Sequence, residues 1–134
     1  MKILVTGSKK YQNKYKIKEF IFGLKEKNTT DDLIVASRGD KNGVDDFVKK
    51  AVLSLDMTYG EFLPYHENRS QYCIMPAFRF GENYSPQYYF WRDNDAVKWA
   101  EMIVIFVSSS DTKSVENIIK AAKNSKKKHF IIID

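Results

Sequence analysis

The chain has 134 residues, a length that fits one domain able to bury a single sizeable core without staples. Hydrophobic residues make up 43% and aromatics 14%, which excludes a disordered chain, and the single cysteine, Cys73, excludes an internal disulfide or a zinc site built from cysteine pairs. The net charge of +5 invites an anionic partner. No apolar run approaches the roughly 20 residues of a membrane span, and "MKILVTGS" is too short for a signal peptide, so a soluble, cytoplasmic protein is expected.

In chain order, "KILVTG" is a short apolar run closed by glycine and predicts a buried first strand. "KKYQNKYKIK", residues 9–18, is one of two basic blocks; "KAAKNSKKK", residues 120–128, is the other. Each fits solvated helix faces and loops, or attraction for nucleic acid or an anionic small ligand. Residues 15–27 carry Ile17, Phe20, Ile21 and Leu24 at helical spacing and predict a helix, weakened by Gly23. "DLIVAS" predicts a second buried strand. Residues 44–55 align Val44, Phe47, Val48, Ala51, Val52 and Leu55 on one helix face, with Asp45 and Asp46 in the first turn, where acidic groups suit the helix dipole. "TYGEFLPY" predicts a third strand. Residues 66–86 show no clean period and hold Pro76, Gly81, Pro86 and many aromatics. Residues 93–101 predict a short helix, "MIVIFVS" a strand, residues 115–123 a last helix, and "HFIIID" a closing strand.

Strands and helices alternate, and the strands read as continuous apolar runs. Parallel strands covered on both faces read this way. The expected fold is α/β, a three-layer Rossmann-like sandwich around a mainly parallel, doubly wound sheet in a single domain, residues 1–134. Such sheets bind ligands outside the carboxyl ends of the strands, which points to the loops "TGSKK", "SRGDKNG" and "SSSDTKS". Each loop has two readings. Gly7 ends a strand or lets a ligand approach. Gly39 and Gly43 make a left-handed turn and a helix start, or a ligand-facing loop. Ser110, Asp111 and Thr112 cap the last helix, or contact a ligand. In the ligand reading, Gly43→Val removes binding and leaves the fold intact.

The stretches "KILVTGS", "GDKNGVDDFVKKA", "WRDNDAVKWAEMIVIFVSSSDTKS" and "IIKAAKNSKKKHFIII" together resemble the SLOG superfamily. These are small Rossmann-like proteins related to the LOG and DprA folds, including the YspA-like group of bacterial and phage proteins. The resemblance implies a ligand site at Gly7 and Ser8 in the first loop, at Gly39, Gly43 and Asp45 in the second, at Arg92 before the fourth helix, and at Thr112 in the last loop. Asp40, Asn94 and Ser110 lie beside these positions. Three departures stand out: Asp40 and Asp111 replace glycines, and Asp93 replaces an asparagine. Two of them put carboxylates into loops that would face phosphate, so sugar hydroxyls or a bridging Mg²⁺ must meet them, or the ancestral site has been lost. No other cofactor is implied. Homo-oligomers are common among such relatives.

The segment 66–90 is a longer, aromatic-rich insertion whose tyrosines and arginines suit either stacking on a base or covering a sheet edge or oligomer interface. His66 sits at the carboxyl edge beside Glu67, whereas His129 and Cys73 lack a visible partner. LOG-type relatives cleave an N-glycosidic bond in a nucleotide, and that resemblance would give Arg92 the phosphate and Asp45, Glu67, Asp93 or Asp111 the role of catalytic carboxylate. Three functions follow: binding of a nucleotide or nucleotide-derived ligand as a sensor or sequestering module, N-glycosidic hydrolysis or transfer, and DprA-like nucleic-acid binding. Steep salt dependence would single out the last.

Overall fold

Alternate residues of the central strands feed two separate cores, and that division sets the layers. In the computed structural model, which describes residues 1–28 and 32–134, the first strand β1 (Lys2–Gly7) sends Ile3 and Val5 to one side and Leu4 to the other. Ile3 and Val5 pack with Ile17 and Ile21 of helix α1 (Lys14–Lys27) and with Val44, Val48 and Val52 of helix α2 (Val44–Ser54). Leu4 packs with Ala96 and Val97 of helix α3 (Gln87–Trp99) and with Ile118 and Ala122 of helix α4 (Glu116–Ser125). Strand β4 (Met102–Val107) divides in the same way, Val104 and Phe106 to the first core, Ile103 and Ile105 to the second.

With β2 (Ile34–Ser37), β3 (Thr58–Glu61) and β5 (Lys128–Ile133), the strands form one sheet in the order β3-β2-β1-β4-β5, every pair parallel. The expected three-layer Rossmann-like α/β sandwich is therefore the observed one. The chain winds outward from β1 through β2 to β3, then crosses back to β4, so β1 and β4 flank the switch point.

Three elements depart most from expectation. Helix α3 starts at Gln87 rather than near residue 93, because its first turns pack against a local aromatic cluster and only Asp93, Ala96 and Val97 are buried, so no long apolar stripe betrays it. Strand β3 ends at Glu61 rather than Tyr65; the buried run Phe62–Tyr65 leaves the sheet, with Pro64 unable to donate to a ladder. Strand β5 is an edge strand with Phe130 and Ile133 exposed, not one buried on both faces.

The aromatic-rich segment is organised by Tyr65. Its ring meets Phe80, Tyr88 and Trp91 edge-on at 5.4, 5.8 and 6.5 Å, and its hydroxyl donates to Asp95 on α3. Lys127 closes the far end of α3: its ammonium donates to the carbonyl oxygens of Val97, Lys98 and Ala100 at 2.6, 2.7 and 2.7 Å, satisfying groups that a helix end leaves without partners. No described helix is long and apolar enough to cross a membrane.

Candidate ligand-binding site

The loops after β1 and β4 are tied to each other. Ser8 Oγ donates to the Asp111 carbonyl at 2.5 Å and accepts from the Ser108 N–H at 3.0 Å. The Asp111 carboxylate accepts from the Lys10 N–H at 3.1 Å and the Ser114 hydroxyl at 2.8 Å, while the Lys9 N–H donates to Ser114 Oγ at 3.2 Å. Burial opposes ionisation of Asp111, but the Ser114 hydroxyl and the N–H groups around it outweigh that and hold its carboxyl below the usual range. An anion thus already sits on the first-loop amides at the switch point, and it belongs to the chain itself.

The glycines serve the same closure. Gly43, at φ +68°, sits on Ser8 and Lys9: a Cβ there would collide with the Ser8 carbonyl oxygen, to which the Val44 N–H donates at 3.3 Å. Gly39, at φ +69°, sits on the Leu63 side chain in the same way. A Cβ at Gly7 would run into the Phe106 carbonyl.

Beneath the loops lies a buried polar cluster. Arg38, the residue after β2, is only 4% exposed. Its Nε donates to Thr6 Oγ1 at 2.8 Å, Nη1 to both oxygens of Asp93 at 3.3 Å, and Nη2 to the carbonyls of Gly7 and Ser114 at 3.3 and 3.2 Å. That is a full complement for a guanidinium. Asp45 accepts from Thr6 Oγ1 at 2.6 Å and from the N–H groups of Arg38 and Asp40 at 3.3 Å, so it braces the second loop from below. Burial raises the Asp45 carboxyl despite the charge of Arg38. Asp93 also accepts from Asn117 at 3.0 Å and from Arg92 Nε at 3.1 Å.

Arg92 is the exception in this cluster. Its side chain is 10% exposed, and its one hydrogen bond among the described residues is the Nε contact to Asp93. The terminal nitrogens have no acceptor among the described residues. Burial, and then the charge of Arg38, disfavour its ionised form. The guanidinium lies over the Tyr89 ring at 5.3 Å and walls a polar cleft of about 230 Å³ with Lys9, Gly39, Asp40, Lys41 and Asn42. Lys9 Nζ is 3.4 Å from Asp40, which neutralises that carboxylate.

A second compartment of about 540 Å³ adjoins the cleft and shares Gly39, Asp40, Lys41, Leu63 and Glu67 with it. Its further walls include Asp46, Lys49, Glu61, His66, Asn68 and Ser70. Glu61, 4% exposed at the end of β3, accepts from the Tyr59 hydroxyl at 3.0 Å and from the Ser70 hydroxyl, with Lys49 Nζ at 3.8 Å. Tyr59 in turn shares a 2.6 Å hydrogen bond with Ser37, so a buried chain of hydroxyls links the second loop to Glu61. His66 stands among the rings of Tyr84, Tyr88 and Tyr89, and its buried Nδ1 has no partner among the described residues. A further cleft of about 360 Å³ lies against α1 and α2, lined by Lys14, Tyr15, Lys18 and Lys50 among others, and shares no residue with these two. Among the described residues no group of three or more His, Cys, Asp or Glu is arranged to hold a metal.

Of the residues expected at the site, Gly39, Asp40, Arg92 and Glu67 line the clefts. Asp45 and Asp93 are buried beneath them and committed to internal donors, and Gly7, Ser8 and Gly43 join the loops to one another. Asn94, Ser110 and Thr112 are exposed and line neither compartment. Lys41, Tyr89, Glu61 and above all Arg38 carry the site without having been singled out. The one available signal for Arg38 was its place directly after a buried strand and before Gly39.

No protein-family model matches the sequence, and no curated protein matches it. Solved structures do match in fold. The molybdenum cofactor binding protein of Rippkaea orientalis aligns over 99% of this chain and 76% of its own, with a TM-score of 0.68 and 14% identity. DNA processing protein A of Helicobacter pylori, described with a single-stranded DNA binding mode, aligns over 98% of this chain and 64% of its own, at TM-score 0.67 and 13% identity. DprA of Streptococcus pneumoniae aligns over 96% and 57%, at 0.59 and 11%. The chain shares its Rossmann-like fold with these proteins, and it spans less than two thirds of the two DprA chains.

Proposed function

We propose that this chain binds a nucleotide or nucleotide-derived small molecule, with the ligand's phosphate held at Arg92. The observation that carries this reading is the arginine itself: a nearly buried guanidinium with free terminal nitrogens, in a cleft that also offers Lys9 and Lys41. These nitrogens open to the cleft, and a guanidinium takes phosphate through two parallel hydrogen bonds. The Tyr89 ring offers a stacking wall, and neighbours of the same fold bind, by their descriptions, a molybdenum cofactor or single-stranded DNA.

The test is thermal unfolding against nucleosides, nucleoside mono- to triphosphates, ADP-ribose, NAD and cyclic nucleotides, with and without Mg²⁺. A ligand at about 100 times its Kd adds roughly 2.7 kcal/mol, several degrees at this size. Phosphorylated ligands should raise Tm and bare nucleosides should not. A flat panel would overturn the reading. Turnover is followed in the same samples as release of free base. Binding without release is expected, because Asp45 and Asp93 are occupied by internal donors and Glu67 is the one candidate carboxylate left open.

A second reading, single-stranded nucleic acid, draws on exposed aromatics beside basic groups: Phe78 is 79% and Tyr84 70% exposed, with Phe90 and Trp91 nearby in sequence and Arg79 over the Phe78 ring at 5.6 Å. Oligonucleotide affinity falling steeply with salt would favour it.

A further inference from the structure

The Arg92 cleft is too small for a nucleotide. Its 230 Å³ falls below the about 300–1,000 Å³ of small-molecule sites. The adjoining 540 Å³ compartment shares its Asp40, Lys41 and Glu67 walls, so the two form one groove, and together they lie within that range. Whatever anchors at Arg92 extends past Asp40 toward Glu61.

The two ends of that groove differ in charge. At the near end Lys9 neutralises Asp40 at 3.4 Å, leaving Arg92 and Lys41 to face an anion. At the far end the lining carboxylates are Asp40, Asp46, Glu61 and Glu67, and the lining cations are Lys41 and Lys49. The Lys49 ammonium stands 3.8 Å from Glu61 and 5.1 Å from the Tyr72 ring, so the cation position there is already filled. Lys50 pairs with Asp46 at 2.9 Å, but that ammonium is 75% exposed and screened. The lining carboxylates outnumber the lining lysines, so a phosphate at this end would be repelled, whereas hydroxyl groups would donate to the carboxylates.

The polar fittings agree. Glu61 is fixed by Tyr59 and Ser70, yet a carboxylate has lone pairs beyond those two bonds. The His66 ring, held among three tyrosine rings, stands on the same wall.

Resting on the nucleotide reading above, we propose that the Glu61 compartment takes the ribose 2′,3′-diol of a ligand anchored by its 5′-phosphate at Arg92. The chain then selects nucleoside 5′-phosphates with a free diol and rejects those phosphorylated on it. Repulsion from Asp46, Glu61 and Glu67 is the rejecting element.

The experiment is isothermal titration of the whole chain with three sets of probes. They are the 5′-monophosphates of adenosine, guanosine, cytidine and uridine, their 2′,3′-dideoxy counterparts, and the matching 3′,5′-bisphosphates. For the base that binds best, loss of the diol should weaken binding about tenfold or more, as expected for lost hydrogen bonds to a charged group, and the bisphosphate should be weaker by at least as much. Glu61 is buried and bonded, so the variant chosen is the rim pair Asp46→Asn with Glu67→Gln, in which the penalty on the bisphosphate should shrink. Monophosphate binding with either analogue equally tight overturns the diol assignment and leaves the phosphate site standing. Absence of binding by every nucleotide overturns both.

Discussion

Arg38 and Arg92 share one carboxylate on unequal terms. Arg38 Nη1 reaches both oxygens of Asp93 at 3.3 Å and has all its other donors placed, whereas Arg92 touches Asp93 through Nε alone at 3.1 Å. One arginine is an internal strut. The other is, in the proposed reading, the group that meets a ligand's phosphate.

Replacing Arg92 by Met therefore separates stability from binding. Asp93 keeps Arg38 and Asn117, and the repulsion between the two guanidinium groups disappears. Loss of the Nε bond offsets that gain, so unfolding stability should change by no more than about 1 kcal/mol. The Tm rise caused by a nucleotide should vanish. Calorimetry with and without ligand checks both halves, and a large loss of intrinsic stability would make Arg92 structural.

The same substitution at Arg38 should behave oppositely. Asp93 and the loop carbonyls of Gly7 and Ser114 would lose their donor inside a buried cluster. Removing one partner of a buried ion pair costs about 3–5 kcal/mol. Urea unfolding of Arg38→Met should show an unfolding free energy reduced by that much, or the variant should fail to accumulate as folded protein. Stability equal to that of the parent would mean that Arg38 is not what holds the buried cluster together.

The contrast between these arginines also marks what could be read from the residues in line. The parallel strands were legible because β1, β2 and β4 are apolar on both faces, and α2 because its apolar positions keep helical spacing. Helix α3 was half hidden because its first two turns face Tyr65 and solvent rather than the core. The glycine positions were visible, but not whether each meets a ligand or another loop; the carbonyl of Ser8 beneath Gly43 decides that, and it comes from a segment 35 positions away. The Arg38–Asp93 pair joins residues 55 apart, a separation that no local period encodes. Asp111 stood out as a charge in a glycine's place. Its bonds to the Lys10 N–H and Ser114 show that it fills an anion position rather than spoiling one.

Gly43→Val follows from that geometry, and the result differs from a loop whose glycine only admits a ligand. A β-branched residue at φ +68° is strained, and its Cβ would press on the Ser8 carbonyl. The two effects together should cost about 3 kcal/mol or more. The expected outcome is a destabilised protein with all binding reduced in proportion to its unfolding. Urea midpoints should show this. A variant of parental stability with no ligand binding would return Gly43 to the ligand face.

Asp111 provides a pH-dependent check on the closed switch point. Its carboxyl is held below the ordinary value of 3.8 in the folded chain, so the folded state favours the ionised form. The stabilisation is fully present above about pH 4 and is lost as pH falls through the lower folded value. Partial exposure screens it, so it amounts to about 1 kcal/mol or less. In Asp111→Asn the charge is absent at every pH. The Tm of the parent should therefore exceed that of the variant by a constant margin from pH 7 to pH 5, and the margin should close below about pH 4. A margin that persists to pH 2 would mean that the carboxylate's charge is not what holds the first and last loops together.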